Sequence, residues 1–289
     1  DSQPALSRGL RGVADKDRGL CTEMVYGTLR RQRALDRWVA ASCGRRLVGV
    51  DAGALIALRL GAYQLAEMPR IPAFAVVDAT TEAFKIAGKP HRGAVGFVHA
   101  VLRKLAVRAE AGDRPDNDDL PPWMARRVEE MAADLGLDPQ ALGAAFCAAA
   151  PSHGQVLAPL AEVQAIATRL RADGVWLRDL GVPGAFEADG ALATRHPDMG
   201  RRFVLQDAAS AAVVRWLDPQ PGWQVLALAA GRGIKSALLA ALGAQVTAAD
   251  VSGDKLAQAT QLAQAVGAPL LRWLAADATQ PLPLPAGSF

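Results

Sequence analysis

Two glycines and two carboxylates are the residues in this chain whose types and spacing could do chemistry. Gly231 and Gly233 stand in V-L-A-L-A-A-G-R-G-I-K-S (Val225 to Ser236), where an apolar run gives way at once to a turn and then to a helical pattern opening at Ile234. The run (Val225, Leu226, Leu228) reads as a buried parallel strand. Glycine reaches backbone angles closed to other residues and lets a ligand approach the main chain. The helix after it points its free N–H groups and positive dipole end back at the turn. A second run, Gln245 to Ala249, ends on Asp250, 19 residues past Gly231. An acid about 20 residues beyond a glycine turn, at the tip of the second strand, is placed to accept the hydroxyls of a ribose. A third run, Pro269 to Leu274, closes on Ala275-Ala276-Asp277. Three parallel strands would bring the glycine turn, Asp250 and Asp277 to one carboxyl edge, where open α/β sheets bind ligands. The expectation is a nucleoside-type cofactor. Ser236 replaces the third glycine of the dinucleotide fingerprint, which argues against NAD; a lone G-x-G turn can also bind nothing.

Length and composition bound what carries these residues. A chain of 289 residues predicts two or three domains, and 51% apolar with 21% charged residues gives ample core. No run reaches the roughly 18 apolar residues that cross a bilayer, and the first ten residues contain no apolar block of a signal peptide. Three widely spaced cysteines, Cys21, Cys43 and Cys147, suit a reducing cytoplasm without a disulfide framework. No C-x-x-C pair or histidine cluster suggests a metal. His91, His99, His153 and His196 read as solvated or locally hydrogen-bonded. Residues 1–110 carry 18 Lys/Arg against 10 Asp/Glu, net +8, whereas the remainder is net −5. A basic first part points to a polyanion, although a charge run can equally be a solvated helix face.

The first 108 residues read as an all-helical bundle. Asp15 to Ala41 is one long helix or two abutting ones, with Leu20, Met24, Leu29, Leu35, Trp38 and Val39 near helical spacing. Arg30, Arg31, Arg33 and Arg37 form a cationic strip on its other side. Asp51 can cap a second helix running through Glu67, with Ile56, Leu60 and Tyr63 inward; Pro69 and Pro72 end it. Ala73 to Ile86 is a third, stopped at Gly88 and Pro90, and Gly93 to Val107 a fourth. Ala109 to Pro122 is acidic, Pro- and Gly-containing and aperiodic, a linker. Trp123 to Ala150 returns to helix, with Cys147 expected as a small core residue. Gln155–Leu160 (strand), Ala161–Ala172 (helix), Val175–Leu180 (strand) and a loop from Gly181 to Arg202 make a small α/β piece. In Phe203–Ala211, Asp207 and Ser210 can satisfy free N–H groups at a helix start.

V-Y-G-T-L-R-R-Q-R-A-L-D (Val25–Asp36), L-R-L-G-A-Y-Q-L (Leu58–Leu65) and G-F-V-H-A-V-L-R-K-L (Gly96–Leu105) resemble the helical NusB-type RNA-binding domain. The resemblance is closest to the version fused to bacterial ribosomal RNA 5-methylcytosine methyltransferases, the small-subunit methyltransferase B group. His99 stands where that family usually has asparagine, and its usual first helix has no counterpart, so a chain trimmed at its start is expected. F-V-L-Q-D-A-A-S-A (Phe203–Ala211) resembles the family's Q-D-x-A-S approach to its catalytic domain. L-A-L-A-A-G-R-G-I-K-S aligns without gaps to the family's typical L-D-L-C-A-A-P-G-G-K-T, with Ala227 in place of an acid, Arg232 of proline and Ile234 of glycine. Q-V-L-A-P-L lacks the arginine and asparagine of the family's L-R-V-N strand, an RNA contact.

The resemblance implies a multidomain protein. A NusB-like helical domain (1–108), a linker (109–122) and a helical plus small α/β connector (123–202) precede the first half of a Rossmann-like methyltransferase domain (203–289). It implies S-adenosyl-L-methionine as cofactor, its methionine and ribose part wrapped by Ala229, Ala230, Gly231, Arg232, Gly233, Ile234 and Lys235. Asp250 would take the ribose hydroxyls and Asp277 the adenine amino group. It implies ribosomal RNA as partner, a cytoplasmic monomer, and no metal or membrane. Family enzymes add a cysteine thiolate to cytosine C6 before methylating C5. The D-A-P-C and T-C-S loops that carry such cysteines are absent here, so catalysis is expected only from a longer chain. Two alternatives stay open: a non-catalytic RNA-binding protein with a degenerate cofactor loop, and a nucleotide-dependent oxidoreductase.

Overall fold

The computed structural model describes residues 2–44, 46–88, 92–117, 119–189, 195–267 and 271–289; Pro90, His91 and the start of the expected third strand, Pro269 and Leu270, lie outside them. The chain divides into two compact units, Asp1–Ala149 and Ala150–Phe289.

The first unit is helical. α1 (Ser2–Gly9) is present where no first helix was expected. Pro4 falls in its first turn, where a missing N–H costs nothing. α2 (Asp15–Arg30) and α3 (Gln32–Cys43) abut at Arg31, the two-helix form of the reading. α4 (Ala52–Glu67) starts at Asp51, whose carboxylate accepts from Ala54 N at 2.9 Å. α5 (Ala73–Gly88) and α6 (Arg92–Glu110) complete the bundle around Leu35, Trp38, Val39, Leu58, Tyr63, Val98, Leu102 and Leu105. α4 buries Ala54, Ala57, Leu58, Gly61, Ala62 and Leu65, the i, i+3, i+4 stripe. Ile56, expected on that stripe, lies two residues from Leu58 and is exposed, as are Leu20 and Leu29. Gly27 explains the close approach of α2 and α4: a Cβ there would lie 2.1 Å from the Tyr63 ring. The Tyr63 hydroxyl donates to Glu23, and burial together with this acid pushes the phenol well above its ordinary value.

The acidic segment after α6, which reads as a linker, is strapped onto the bundle. Asp119 is its anchor, with a side chain only 2% exposed. Its Oδ1 accepts from Ala34 N at 2.9 Å, and its Oδ2 takes Arg31 Nη1 at 2.5 Å. Ala34 lies in the first turn of α3, which has no cap of its own, so Asp119 caps that helix from 85 residues away. Arg31 also reaches Glu67 at 3.1 Å, and Arg37 Nε donates to Asp116 at 3.0 Å. The expected cationic strip is corrected accordingly: two of its four arginines hold the strap. α7 (Pro122–Leu135) and α8 (Pro139–Cys147) replace the single expected helix. Gly136 ends α7 in the left-handed region, and Asp138 caps α8. Cys147 is only partly buried and its neighbour Phe146 is exposed, so this cysteine is not a core residue.

The second unit holds two sheets. β1 (His153–Val156), β2 (Leu177–Asp179), β3 (Ala185–Ala188) and β4 (Phe203–Leu205) form an antiparallel sheet ordered β2-β3-β1-β4, against which α9 (Leu160–Ala172) buries Val163, Ile166, Ala167 and Leu170. β3 falls inside the expected 181–202 loop; four residues beside Gly184 are too few to show a period of two. After α10 (Ala208–Leu217) come β5 (Gln224–Leu228), α11 (Ile234–Ala241), β6 (Gln245–Asp250), α12 (Gly253–Val266) and β7 (Leu271–Ala275). The three strands are parallel in the order β5-β6-β7, with Leu228 opposite Ala249 and Asp250 opposite Ala275. Among the described residues β5 pairs on one side only; Val225 and Leu226 are half-buried and Leu228 is 48% exposed, which corrects their reading as buried. Among the described residues no helix is long and apolar enough to cross a membrane.

Asp119→Ala removes the acceptor of the Ala34 N–H and of Arg31 Nη1, leaving the almost buried guanidinium with Glu67 as its carboxylate partner. It is expected to lower stability by about 3 kcal/mol. Asp119→Asn, which keeps one acceptor oxygen, should lose less; urea unfolding of the two variants checks the order.

Candidate functional site

The parallel sheet ends in the glycine turn, and its two glycines serve different purposes. Gly231 has φ +58°, and a Cβ built on it would meet no atom within 4 Å, so its main chain borders open space. Gly233 has φ +73°, and a Cβ there would lie 2.9 Å from both Ala259 Cβ and the Trp273 ring. It lets the start of α11 close onto α12 and β7. Ala229 is held at φ +50°, a conformation that costs an L-residue about 1–2 kcal/mol. The bend is fastened to the sheet by Ala230 N donating to Ala249 O at 2.9 Å and closed by Gly233 N donating to Ala230 O at 3.0 Å.

Asp250 is 5% exposed at the end of β6. Its Oδ2 accepts from Gly231 N at 2.8 Å and its Oδ1 from Ser252 N at 2.9 Å. These backbone N–H groups, Ser252 first and then Gly231, hold the carboxyl below the usual carboxylate range. An ionised carboxylate offers about four lone-pair sites, so the N–H groups of Ser252, Gly231 and Val251 leave part of its acceptor capacity beside the bend. The structure thus brings Gly231 and Asp250 into direct contact. Asp277 lies two residues past β7, at the same end of the sheet, in a turn of its own. Its Oδ1 accepts from Thr279 N at 2.9 Å and Thr279 Oγ1 at 2.7 Å, which lowers its pKa, and it makes no bond to the bend.

The other loop positions divide by burial. Ala229 and Arg232 are exposed, Ala230 is half-buried, and Ile234 packs on the apolar core beneath α11. Lys235, in the first turn of α11, donates from Nζ to Ser210 Oγ at 3.3 Å, and Gln206 Nε2 donates to the same oxygen at 3.3 Å. Sequence reasoning gave Ser210 only to the helix start. Asp207 alone caps α10, accepting from Ala209 N and Ser210 N, while the Ser210 hydroxyl turns to Lys235. The signal was the Q-D-x-A-S spacing, which sets Gln206 and Ser210 one helical turn apart. His153 and His196 are locally hydrogen-bonded, to Ala208 N and Asp173. No group of three metal-ligating side chains occurs among the described residues.

Because the folded-state pKa of Asp250 lies below its unfolded value of about 3.9, the stability it contributes is complete above that pH. It is lost as the pH falls through the folded value. The stability difference between the wild type and Asp250→Asn should therefore be constant from pH 7 to 5 and shrink below about pH 4, as urea midpoints measured across that range would show.

Residues 5–107 match the NusB family, and residues 226–289 match a methyltransferase domain. The ribosomal RNA small subunit methyltransferase B of Thermus thermophilus is 30% identical over 286 residues, covering 98% of this chain and 63% of that protein. The protein of that name from Xylella fastidiosa (strain Temecula1) is 31% identical over 231 residues, covering 78% of this chain and 51% of its own. The chain thus spans about half to three fifths of the length of these relatives. Among solved structures, the crystal structure of PH0851 shares the fold with a TM-score of 0.63 at 19% identity, over 94% of this chain and 63% of that one. A NusB domain followed by a methyltransferase domain, together with similarity to the Thermus thermophilus protein over 98% of the chain, makes this protein a member of the ribosomal RNA small subunit methyltransferase B family.

Proposed function

We propose that this chain serves S-adenosyl-L-methionine-dependent methylation of ribosomal RNA. The observation that carries the reading is the buried, ionised Asp250 bonded to Gly231 N at 2.8 Å, beside a bend that borders open space. The residues present fit the cofactor. The remaining acceptor capacity of Asp250 suits the hydroxyls of a ribose. Ala229 to Lys235 follow the bend past the unpaired N–H groups at the start of α11, where the methionine and ribose part would lie. The bonds of Asp277 to Thr279 use Oδ1, which leaves Oδ2 as acceptor for an adenine amino group. When bound, the cofactor supplies a methyl group activated on a sulfonium.

The finer reading is methylation of cytosine at C5 through a cysteine adduct at C6. It rests on the resemblance alone; the names of the relatives support ribosomal RNA as the substrate class. All three cysteines belong to the first unit, so the unit that holds the bend supplies no thiolate from its own residues. RNA contact is assigned to the cation-rich residues 1–110, less the arginines committed to the strap. The protein would work in the cytoplasm as a monomer.

Titration calorimetry of the chain with S-adenosylmethionine should give saturable heat at one site. Asp250→Ala, which removes two charge-assisted hydrogen bonds to the ribose, should weaken it at least tenfold. No heat at millimolar ligand would leave the non-catalytic RNA-binding protein as the better reading.

A further inference from the structure

A cleft between α3 and α6 in the first unit has a volume of about 620 Å³. Ala41 and Ser42 line it from α3, and Arg103, Lys104, Val107 and Arg108 line it from α6. Three of these six side chains are cations and none is an acid. Positions 103 and 107, like 104 and 108, are one helical turn apart, so all four share one side of α6. Arg108 is fixed in place. Its Nε donates to Asp113, its Nη1 donates to Ser42 Oγ at 2.7 Å, and its guanidinium lies 5.7 Å from the centre of the Trp38 ring. Arg103 and Lys104 are exposed and make no hydrogen bond or ion pair among the described residues.

Helix stability does not account for these charges. No acid stands three or four residues from Arg103 or Lys104, and Lys104 and Arg108 form a like-charge pair at i, i+4, which opposes the helix. Arg103 and Lys104 also lie about two turns before Glu110, outside the last turn of α6, where the negative end of the helix would favour a cation. Val107 stands between them and is 66% exposed, and Ala41 is exposed across from it. The cleft therefore has a cationic rim and an apolar floor. A nucleotide chain matches both, with anionic phosphates and flat, apolar base faces. An acidic side chain carries its carboxylate on one or two methylenes and offers little to cover Val107. A cleft of this size admits one strand rather than a duplex.

We propose that the α3–α6 cleft is where single-stranded RNA crosses the first unit, with Arg103 and Lys104 holding successive phosphates and Val107 covered by a sugar or base. The inference rests on the RNA reading above and adds to it a place and a mode of contact. Among the described residues no aromatic side chain lines the cleft, so the contacts are to the backbone and tolerate any base sequence. Arg46, exposed and four residues past Ser42, lies within about 14 Å of the cleft by chain length alone and extends the cationic path.

Fluorescence anisotropy of the full chain with a labelled oligouridylate tests the cleft. Arg103→Ala combined with Lys104→Ala should weaken binding about tenfold at about 50 mM salt and, at about 0.7 per phosphate contact, flatten the slope of log K against log salt by about 1.4. Arg103→Lys combined with Lys104→Arg, which keeps both charges, should stay close to the wild type. Arg126→Ala combined with Arg127→Ala removes the same charge from α7, which does not line the cleft, and should stay within twofold. Equal losses for the two alanine pairs, or no loss for the first, would overturn the cleft while leaving the RNA reading intact. Polyglutamate that displaces the RNA at equal charge concentration would assign the cleft to an acidic protein and overturn it too. A wild-type chain that binds no RNA would remove both readings.

Discussion

One hydrogen bond organises the parallel sheet and its bend: the Gly231 N–H donating to the Asp250 carboxylate. It joins the tip of the second parallel strand to the bend that leaves the first. The register sets Leu228 opposite Ala249, so the two strand ends finish level and the bond can form without displacing either. It requires the backbone of Gly231 in the left-handed region, where the N–H turns toward β6 rather than outward. It also requires an ionised acceptor, since a buried carboxylate is tolerable only when donors compensate it. The bend supplies one donor and Ser252 another. Charge, glycine conformation and strand register are thus one constraint.

The first unit solves a similar problem with a different result. Asp119 is likewise a buried carboxylate bonded to a backbone N–H, that of Ala34 in the first turn of a helix. Its second oxygen is occupied by Arg31, and its side chain is 2% exposed, so it faces its own fold alone. Asp250 is hydrogen-bonded by backbone N–H groups, with the Lys255 charge acting on it only through space, beside a main chain that borders open space. An arginine-paired carboxylate is a finished structural joint; one held only by amides keeps its charge and part of its acceptor capacity for something else.

Local pattern made most of the architecture readable, because helices, parallel strands and the glycine bend are each written in consecutive residues. The 19-residue interval from Gly231 to Asp250 is the length of one strand–helix–strand passage, so the contact between them was visible as spacing. What stayed hidden depends on partners distant in sequence. The strap looks like a linker because its anchoring partners, Arg31 and Arg37, lie 79 to 88 residues earlier. Those arginines look like a free cationic strip for the same reason. Leu228 looks buried because its composition does not reveal that β5 has one neighbouring strand. Ile56 is apolar without facing the core, a reminder that apolar residues also cover surface. The Ser210–Lys235 contact joins an approach helix to the loop across 25 residues, and neither motif alone implies it.

The loop departs from the family's typical pattern at Ala227, Arg232 and Ile234, and the geometry shows how little rests on those positions. Ala227 and Ile234 pack against the apolar core of the unit, where their side chains fill space instead of facing the bend. Arg232 is exposed and carries a cation at a turn already rich in donors. The hydrogen bonds that shape the bend come from the main chain of Ala230, Gly231 and Gly233, with Ala249 O, Ala230 O and the Asp250 carboxylate as acceptors. Main-chain groups survive side-chain substitution wherever the new residue tolerates the local φ: Gly233 keeps the family's glycine, and Gly231, at φ +58°, stands where the typical pattern has alanine. A loop judged only by side-chain identity looks eroded. Judged by which atoms make its hydrogen bonds, it keeps a bend fastened to both strands and bordered by open space.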